Sequence, residues 1–401
     1  MKNNRTFLEK LLDGAEVEWK PVKSLCNDNF WLMPATPEFD DNGTIPYITS
    51  KNIKGGKIDF QNTKYINEHV YQELSRTRCI VENDILISMI GTIGEAAIVK
   101  QEDLFFYGQN MYILRLNNKL VNHKFFLYYF TAPFILNSLL SKKNSSNQGY
   151  LKAGQIENLK IPIPPLSIQT EIVKILDALT ALTSELTSEL TLRRKQYEYY
   201  RETLLSSDNL EQLNTGGVKK KLSDVAIYAK VRILADKLDK ENYVGVENLL
   251  QNKLGKTSSN YVPTDGAFIE YLPNDILIGN IRPYLRKIWL SDRKGGTNGD
   301  VLVIRLTDDN ILPRYLYHIL ANEHFFEYNI KYSKGAKMPR GDKAAILQYE
   351  FDVPTFEEQQ RIVSILDKFE TLTNSITEGL PLAIEQSQKR YEYYRELLLS
   401  F

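Results

Sequence analysis

The chain carries one long passage twice. Leu159–Ser206 reads LKIPIPPLSIQTEIVKILDALTALTSELTSELTLRRKQYEYYRETLLS, and residues 351–400 read FDVPTFEEQQRIVSILDKFETLTNSITEGLPLAIEQSQKRYEYYRELLLS. Both copies open with proline after an apolar-alternating strand and pass through Ile-Val-x-Ile-Leu-Asp. Both close on Tyr-Glu-Tyr-Tyr-Arg-Glu-x-Leu-Leu-Ser. A match of this length is an internal duplication, so any fold must accommodate the same unit twice.

In the first copy Ile172, Leu176, Leu179, Leu186, Leu190, Tyr197, Tyr200 and Leu204 recur every third or fourth position, with Thr183 and Arg193 off pattern. That heptad seam predicts a single helix of roughly forty residues, about 60 Å long. A helix of this length needs a partner, and Ile362, Leu366, Phe369, Thr373 and Ile376 keep the same phase in the second copy. Ser167 is placed to cap the first helix, and Thr355 with Glu358 to form a capping box on the second. The register slips: 367 − 177 = 190 between the paired aspartates, but 391 − 197 = 194 between the paired tyrosines. Four extra residues make a stutter, and Gly379-Leu380-Pro381 interrupts the second helix. The matching region of the first helix holds the repeat TSEL-TSEL, Thr183–Leu190.

A chain of 401 residues holds two or three domains. Its formal net charge is +0, so any nucleic-acid surface must be local. Cys26 and Cys79 have neither disulfide nor zinc spacing and read as reduced core residues. MKNNRTFLEKLLDG lacks a signal-peptide core, and the apolar run Ile85–Val99 is too short for a membrane span. The expected location is therefore the cytoplasm.

The sequence before each repeat is also duplicated. KPVKSLC is answered by KKLSDVA, YITSKNIKGGKI by YVGVENLLQNKLG, NDILISMIGTIGEAAIV by NDILIGNIRPYLRKIWL, and NMYILRL by GDVLVIRL. The strand and helix positions repeat while the loops differ. A common frame with different loops is how one scaffold comes to recognise two things.

Enzyme signatures fail. Gly255-Lys256-Thr257 lacks the glycine a phosphate-binding loop needs five residues earlier, where Leu250 stands. Asp84 and Glu95 could suggest a nuclease carboxylate pair, but Asp84 matches Asp275 as part of the frame. His69, His123, His318 and His324 have no metal spacing. The loops carry more. Arg282, Arg286, Lys287, Arg293 and Lys294 cluster within thirteen residues, with Tyr284 among them, and Lys331, Lys334, Lys337, Arg340 and Lys343 within another thirteen. Such clusters suit phosphate contact and base reading, with Asn298 in a neighbouring loop. The matching loops of the first half are richer in amides: Lys51, Asn52, Lys54, Thr92, Gln109, Asn110, then Lys142, Lys143, Asn144, Asn147, Gln148 and Lys152. Asparagine and glutamine can bond adenine bidentately and arginine guanine.

With IPIPPLSIQTEIVKILD, VPTFEEQQRIVSILD, LLDGAEVEWKPV and the NDIL–Gly turn in each half, the whole chain resembles the specificity subunit of a type I restriction-modification system. The resemblance implies an α+β fold of two similar mixed α/β target recognition domains, residues 1–158 and 207–350. Two long spacer helices, 159–206 and 351–401, would separate them as an antiparallel coiled coil with a pseudo-two-fold repeat. It implies that each domain reads half of a bipartite site on double-stranded DNA. The chain would have no catalytic residues, metal or cofactor of its own. Two modification (methyltransferase) subunits would bring S-adenosylmethionine, and restriction subunits would bring ATP-driven translocation and cleavage.

Two other classes compete: a coiled-coil protein-interaction adaptor without DNA binding, and a stand-alone DNA enzyme. If the helices are a ruler, deleting one TSEL moves one end by about 6 Å and turns it by about 40°. The expected outcome is a shorter preferred DNA spacer, read by methylation sequencing; an unchanged spacer would count against the ruler.

Overall fold

The computed structural model describes residues 7–141, 150–212, 217–375 and 377–401. The chain divides into two compact units, the first Met1–Ser184 with Gln386–Phe401 and the second Glu185–Glu385. Both divisions fall inside helices.

The first unit is built on a four-stranded antiparallel sheet in the order Cys26–Leu32, Met111–Leu116, Ile85–Ser88, Ala96–Ile98. Ile85, Leu86, Ile87, Ile113 and Leu114 are fully buried, because the central strands are covered on both faces. One face packs on α1 (His123–Phe130) and α2 (Pro133–Ser141), the other on a small sheet where Ile45–Ile48 pairs with Lys64–Ile66 and, in parallel, with Tyr107–Gly108. Pro133 begins α2 rather than only ending α1, as its preset φ and absent N–H allow. Glu18–Pro21 pairs with Lys160–Ile163, the strand that leads into α3 (Leu166–Leu204).

The second unit repeats this plan. Its sheet runs Ala226–Tyr228, Val301–Leu306, Ile276–Gly279, Ile288–Leu290, against α4 (Pro313–Leu320) and α5 (Glu323–Lys331). The small sheet keeps the parallel pair, here Tyr243–Val244 with Gly295–Thr297. In each unit the aspartate after the Asn–Asp turn is buried and takes a two-pronged arginine. Arg115 donates to Asp84 at 2.9 Å through both nitrogens, and Arg305 to Asp275 at 2.9 and 2.6 Å. Both carboxylates also cap their own turn, so these are frame residues with their lone pairs occupied.

Glutamine anchors each long helix. The Gln169 amide is fully buried, accepts from Asn122 N at 2.8 Å and donates to the carbonyls of Leu120 and Pro164. Gln359 repeats this with Leu312 N, Asn310 O and Pro354 O. The polar residue at the start of each apolar helix is thus a three-bonded staple between helix, preceding strand and domain loop.

The described seam positions are shielded. Ile172, Leu176, Ile362 and Leu366 are fully buried and Tyr197 nearly so, while Leu179, Leu186, Leu190 and Phe369 are half-buried. Ile376 lies outside the described residues. Inside the first unit the α3 seam runs antiparallel to the end of the chain, with Thr183 Oγ1 2.8 Å from Ser387 Oγ and Leu398 in the core beside Ile172. Inside the second unit Tyr197 stacks on Phe369 and Arg194 reaches Thr373 O. The expected second long helix is two helices, α6 (Phe356–Asn374) and α7 (Leu380–Leu399). Gly379 turns between them at φ +82, where a Cβ would lie 2.6 Å from Thr371 O, and Pro381 sits in the first turn of α7.

Some local expectations change. Ser167 lies in the first turn of α3, which begins at Leu166. Thr355 caps α6 by accepting from Glu358 N at 3.4 Å, while the Glu358 carboxylate turns to Arg361. Cys79 is exposed rather than a core residue. Burial pushes the half-buried Cys26 thiol up to about 12, with Glu157 and Asp28 adding to it.

Replacing Gln359 by leucine removes the staple and leaves buried partners unsatisfied, at about 1–3 kcal/mol for such a group. The urea midpoint is expected to fall accordingly. An unchanged midpoint would show that the anchor is not in the amide.

Candidate nucleic-acid interface

Both units turn the chain at the end of a fully buried strand and brace the turn against the segment that leads to a later strand. In the first unit the turn runs from Ser88 to Glu95, closed by Ser88 N to Glu95 O at 2.8 Å, and Ile90 bridges to Tyr150. In the second it runs from Gly279 to Lys287, closed by Gly279 N to Lys287 O at 3.0 Å, and Ile281 bridges to Arg340. Arg282 N donates to Pro339 O at 2.7 Å and Gly341 N to Asn280 O at 3.1 Å. The two basic stretches of the second half, separate in sequence, therefore meet.

Their members do different work. Arg282, Lys337 and Lys343 are exposed and make no side-chain hydrogen bond or ion pair among the described residues, and Tyr284 is 46 % exposed. Arg286 is held by Glu323, with Nε 2.7 and 2.9 Å from the two carboxylate oxygens. Lys287 donates to Val246 O at 2.7 Å, and burial holds its ammonium below its ordinary value. Lys334 pairs with Asp342 at 2.5 Å and Arg340 with Asp300 at 2.9 Å, both from exposed positions. Asn298 Oδ1 accepts from Asp300 N at 3.1 Å. Arg286 and Lys287 are thus loop braces first. Arg293 and Lys294 lie beyond Ile288–Leu290, beside Asn274 and so at the far end of the strand, paired with Asp292 and Glu270. That three-residue strand separates them from the Arg282 turn by about 10 Å along its length.

In the first unit Lys51 and Lys54 are exposed and unpaired among the described residues, and Lys152 is exposed. Asn52 folds inward, accepting from Thr49 N and donating to Asp59 O, each at 2.9 Å. Thr92 Oγ1 donates to Ser50 O at 2.9 Å, tying the turn to the Lys51 loop. Gln109 accepts from Tyr47 OH at 3.3 Å, and Asn110 is half-buried at φ +65. Lys142, Lys143, Asn144, Asn147 and Gln148 lie outside the described residues.

Sequence reasoning missed two acids that fix basic side chains, Glu323 and Asp300, whereas Asp342, the one acid inside the second basic stretch, is visible there and pairs with Lys334. It also missed a polar floor: Asn280 and Asn329 are buried where the first unit has Met89 and Leu139. Glu323 could have been suspected only as an acid in a helix's first turn, since its partner lies 37 residues away.

The repeated Tyr-Glu-Tyr-Tyr-Arg also finds its use. Arg395 donates to Tyr128 O and Thr131 Oγ1 in the first unit, both at 2.8 Å, while Arg201 donates to Ala321 O in the second. Each copy therefore docks on the domain preceding the other copy. Next to it Asp177 accepts from Lys124 at 2.6 Å and Tyr128 at 2.7 Å, and Asp367 from Arg314 at 2.7 Å and His318 at 2.8 Å. His318, Asp367 and Glu370 are close enough to ligate a cation, but the Arg314 guanidinium already bonds both carboxylates. Burial lowers the His318 pKa, Asp367 opposes the shift, and Arg314 adds to it.

His318 is therefore neutral near pH 7 in the fold, with Nε2–H donating to Asp367, and among the described residues no acceptor awaits a proton on its other nitrogen. Below about pH 6.5 the unfolded chain takes up a proton that the folded one refuses, so stability falls as pH drops through that value. Tyr197, Arg201, Arg314, Tyr317, Asp367 and Glu370 face this site. His318→Tyr, which restores the residue at the matching place in the first unit, is expected to flatten the loss between pH 7 and 5; an equal slope would assign it elsewhere.

The chain matches the family model described as "Type I restriction modification DNA specificity domain" twice, over residues 16–192 and 215–386. It is 37 % identical to a putative type I restriction enzyme specificity subunit of Haemophilus influenzae, covering 100 % of both chains. It is 32 % identical to a type I restriction enzyme specificity subunit of Escherichia coli, covering 99 % of this chain and 97 % of that one. The crystal structure of a type I restriction-modification S subunit from M. genitalium aligns over 96 % of this chain and 97 % of that chain, with TM-score 0.54 at 14 % identity. No helix among the described residues is long and apolar enough to cross a membrane.

Proposed function

We propose, from the premise that this chain belongs to the type I restriction-modification DNA specificity family, that it is the sequence-reading and scaffold subunit of such a system. Each unit reads one part of a bipartite site on double-stranded DNA. The helices set the spacing between the parts and seat two methyltransferase subunits, which supply S-adenosylmethionine chemistry. Restriction subunits join the same assembly and use ATP. On this reading the chain itself catalyses nothing and works in the cytoplasm.

One observation carries the reading: the two units share a sheet, a turn and a brace, and differ in what the turn presents. The first offers Thr92 with Lys51 and Lys54 nearby, the second Arg282 and Tyr284 with Lys337 nearby. Exposed cations on braced loops can contact phosphates, and differing side chains at one structural place can read differing bases.

Exchange of residues 1–155 for those of another specificity subunit tests it in the complex with methyltransferase subunits. Methylation sequencing is expected to show one half of the recognised site replaced and the other retained; replacement of both halves would sink the two-reader account. Duplex binding by the same complex is expected to weaken steeply with salt, since each phosphate contact releases counterions. Salt-independent or absent binding would favour the adaptor.

A further inference from the structure

The two units build their turns with different residues at the same corners. Both corners of the first turn are left-handed glycines, Gly91 at φ +81 and Gly94 at φ +85. The corresponding corners of the second are arginines, Arg282 at φ +54 and Arg286 at φ +51. Glycine takes this backbone freely, whereas a residue with a Cβ is strained there. Two strained arginines on one turn call for a compensating use of each side chain.

Arg286 finds its use inside the protein. Its guanidinium grips both oxygens of Glu323, the first residue of α5, where the helix dipole also favours a carboxylate. In the first unit the residue that opens the matching helix is Pro133, so this clamp belongs to the second unit alone. Arg282 has no such partner among the described residues, and its side chain is exposed. Its backbone, by contrast, is fixed: Arg282 N donates to Pro339 O at 2.7 Å, Arg282 O accepts from Leu285 N at 2.9 Å, and buried Pro283 follows. Beneath it Gly341 leaves no room for a side chain, with its Cβ position 2.3 Å from Asn329 Oδ1 and 2.9 Å from Asn280 Oδ1. A strained and fully braced backbone launches the free Arg282 side chain from a fixed point in a fixed direction, and its planar fork carries two parallel donors. A phosphate contact does not need this, because a swinging lysine such as Lys337 or Lys343 serves as well.

Resting on the DNA-reading role above, we propose that Arg282 is the residue by which the second unit reads a guanine, through paired hydrogen bonds to O6 and N7. In this assignment Glu323, acting through Arg286, is the positioning residue that holds the turn.

Arg282→Gly tests the first part without straining the fold, since it installs the residue the first unit uses. In the complex with methyltransferase subunits its thermal midpoint is expected to be no lower than that of the natural chain. Methylation sequencing is expected to show one G·C pair of one half-site losing its requirement, with discrimination down about tenfold to a hundredfold, and the other half-site intact. Glu323→Gln is expected to relax the same pair to a smaller degree. An unchanged motif for Arg282→Gly overturns the assignment. So does a uniform drop in methylation at every site, the mark of a phosphate contact. Relaxation by Arg282→Gly but not by Glu323→Gln removes the positioning role. A natural complex that methylates no defined sequence removes the DNA-reading premise itself.

Discussion

The joint between domain and helix depends on a buried amide. A long apolar helix can slide or rotate against a sheet at little cost, because dispersion and hydrophobic contacts are not directional. Gln169 and Gln359 remove that freedom. Each sits where strand becomes helix, with one acceptor and two donors used on backbone groups from two other segments. Full satisfaction makes the amide affordable in the core and makes every other rotation of the helix expensive, since it would orphan three polar groups at once. All placement of loops relative to helix starts from this joint.

A second polar contact completes each unit from the other repeat. The arginine of one copy bonds the same domain helix that holds the aspartate of the other, or the residue just after it, and the side chains on that aspartate vary while charge is kept: lysine with tyrosine in one unit, arginine with histidine in the other. Both versions neutralise a half-buried carboxylate with one cation and one neutral donor. The same substitution of means occurs at the turn, where Glu95 accepts from Gly55 N in one unit and Lys287 donates to Val246 O in the other. The duplicated frame keeps the positions of its links and lets their polarity reverse.

The duplication, the strands and the frame aspartates Asp84 and Asp275 were readable because they rest on local signals, periodicity and a motif present twice. The break before Pro381 was readable for the same reason, as glycine and proline act on their own backbone. Ser167 falls two residues past the cap position, because α3 begins at Leu166, and displacements of this size are common at helix ends. What could not be read depends on distant partners. Nothing near Arg286 in sequence announces Glu323, and nothing near Arg340 announces Asp300. Charge clustering therefore overstated the free basic surface: of the residues it marked, Arg286, Lys287, Lys334 and Arg340 are already bonded within the protein. Two of the basic residues, Arg282 and Arg286, differ from the rest in standing where Gly91-Thr92-Ile93-Gly94 has its glycines.

The division inside the helices has a consequence for biosynthesis. The second unit is one unbroken stretch, Glu185–Glu385, but the core of the first contains Leu398 and Leu399 together with Ile172 and Leu176. On the ribosome, at about 5–20 residues per second, the first unit waits roughly 10–40 s between emergence of Ser184 and arrival of its last helix. Domains generally complete in the order of synthesis; here the order is inverted. During that interval the face of α3 around Leu176 and the site for Arg395 stand open, so the nascent first unit is the stage at which a chaperone or an early-binding partner has the most surface to hold.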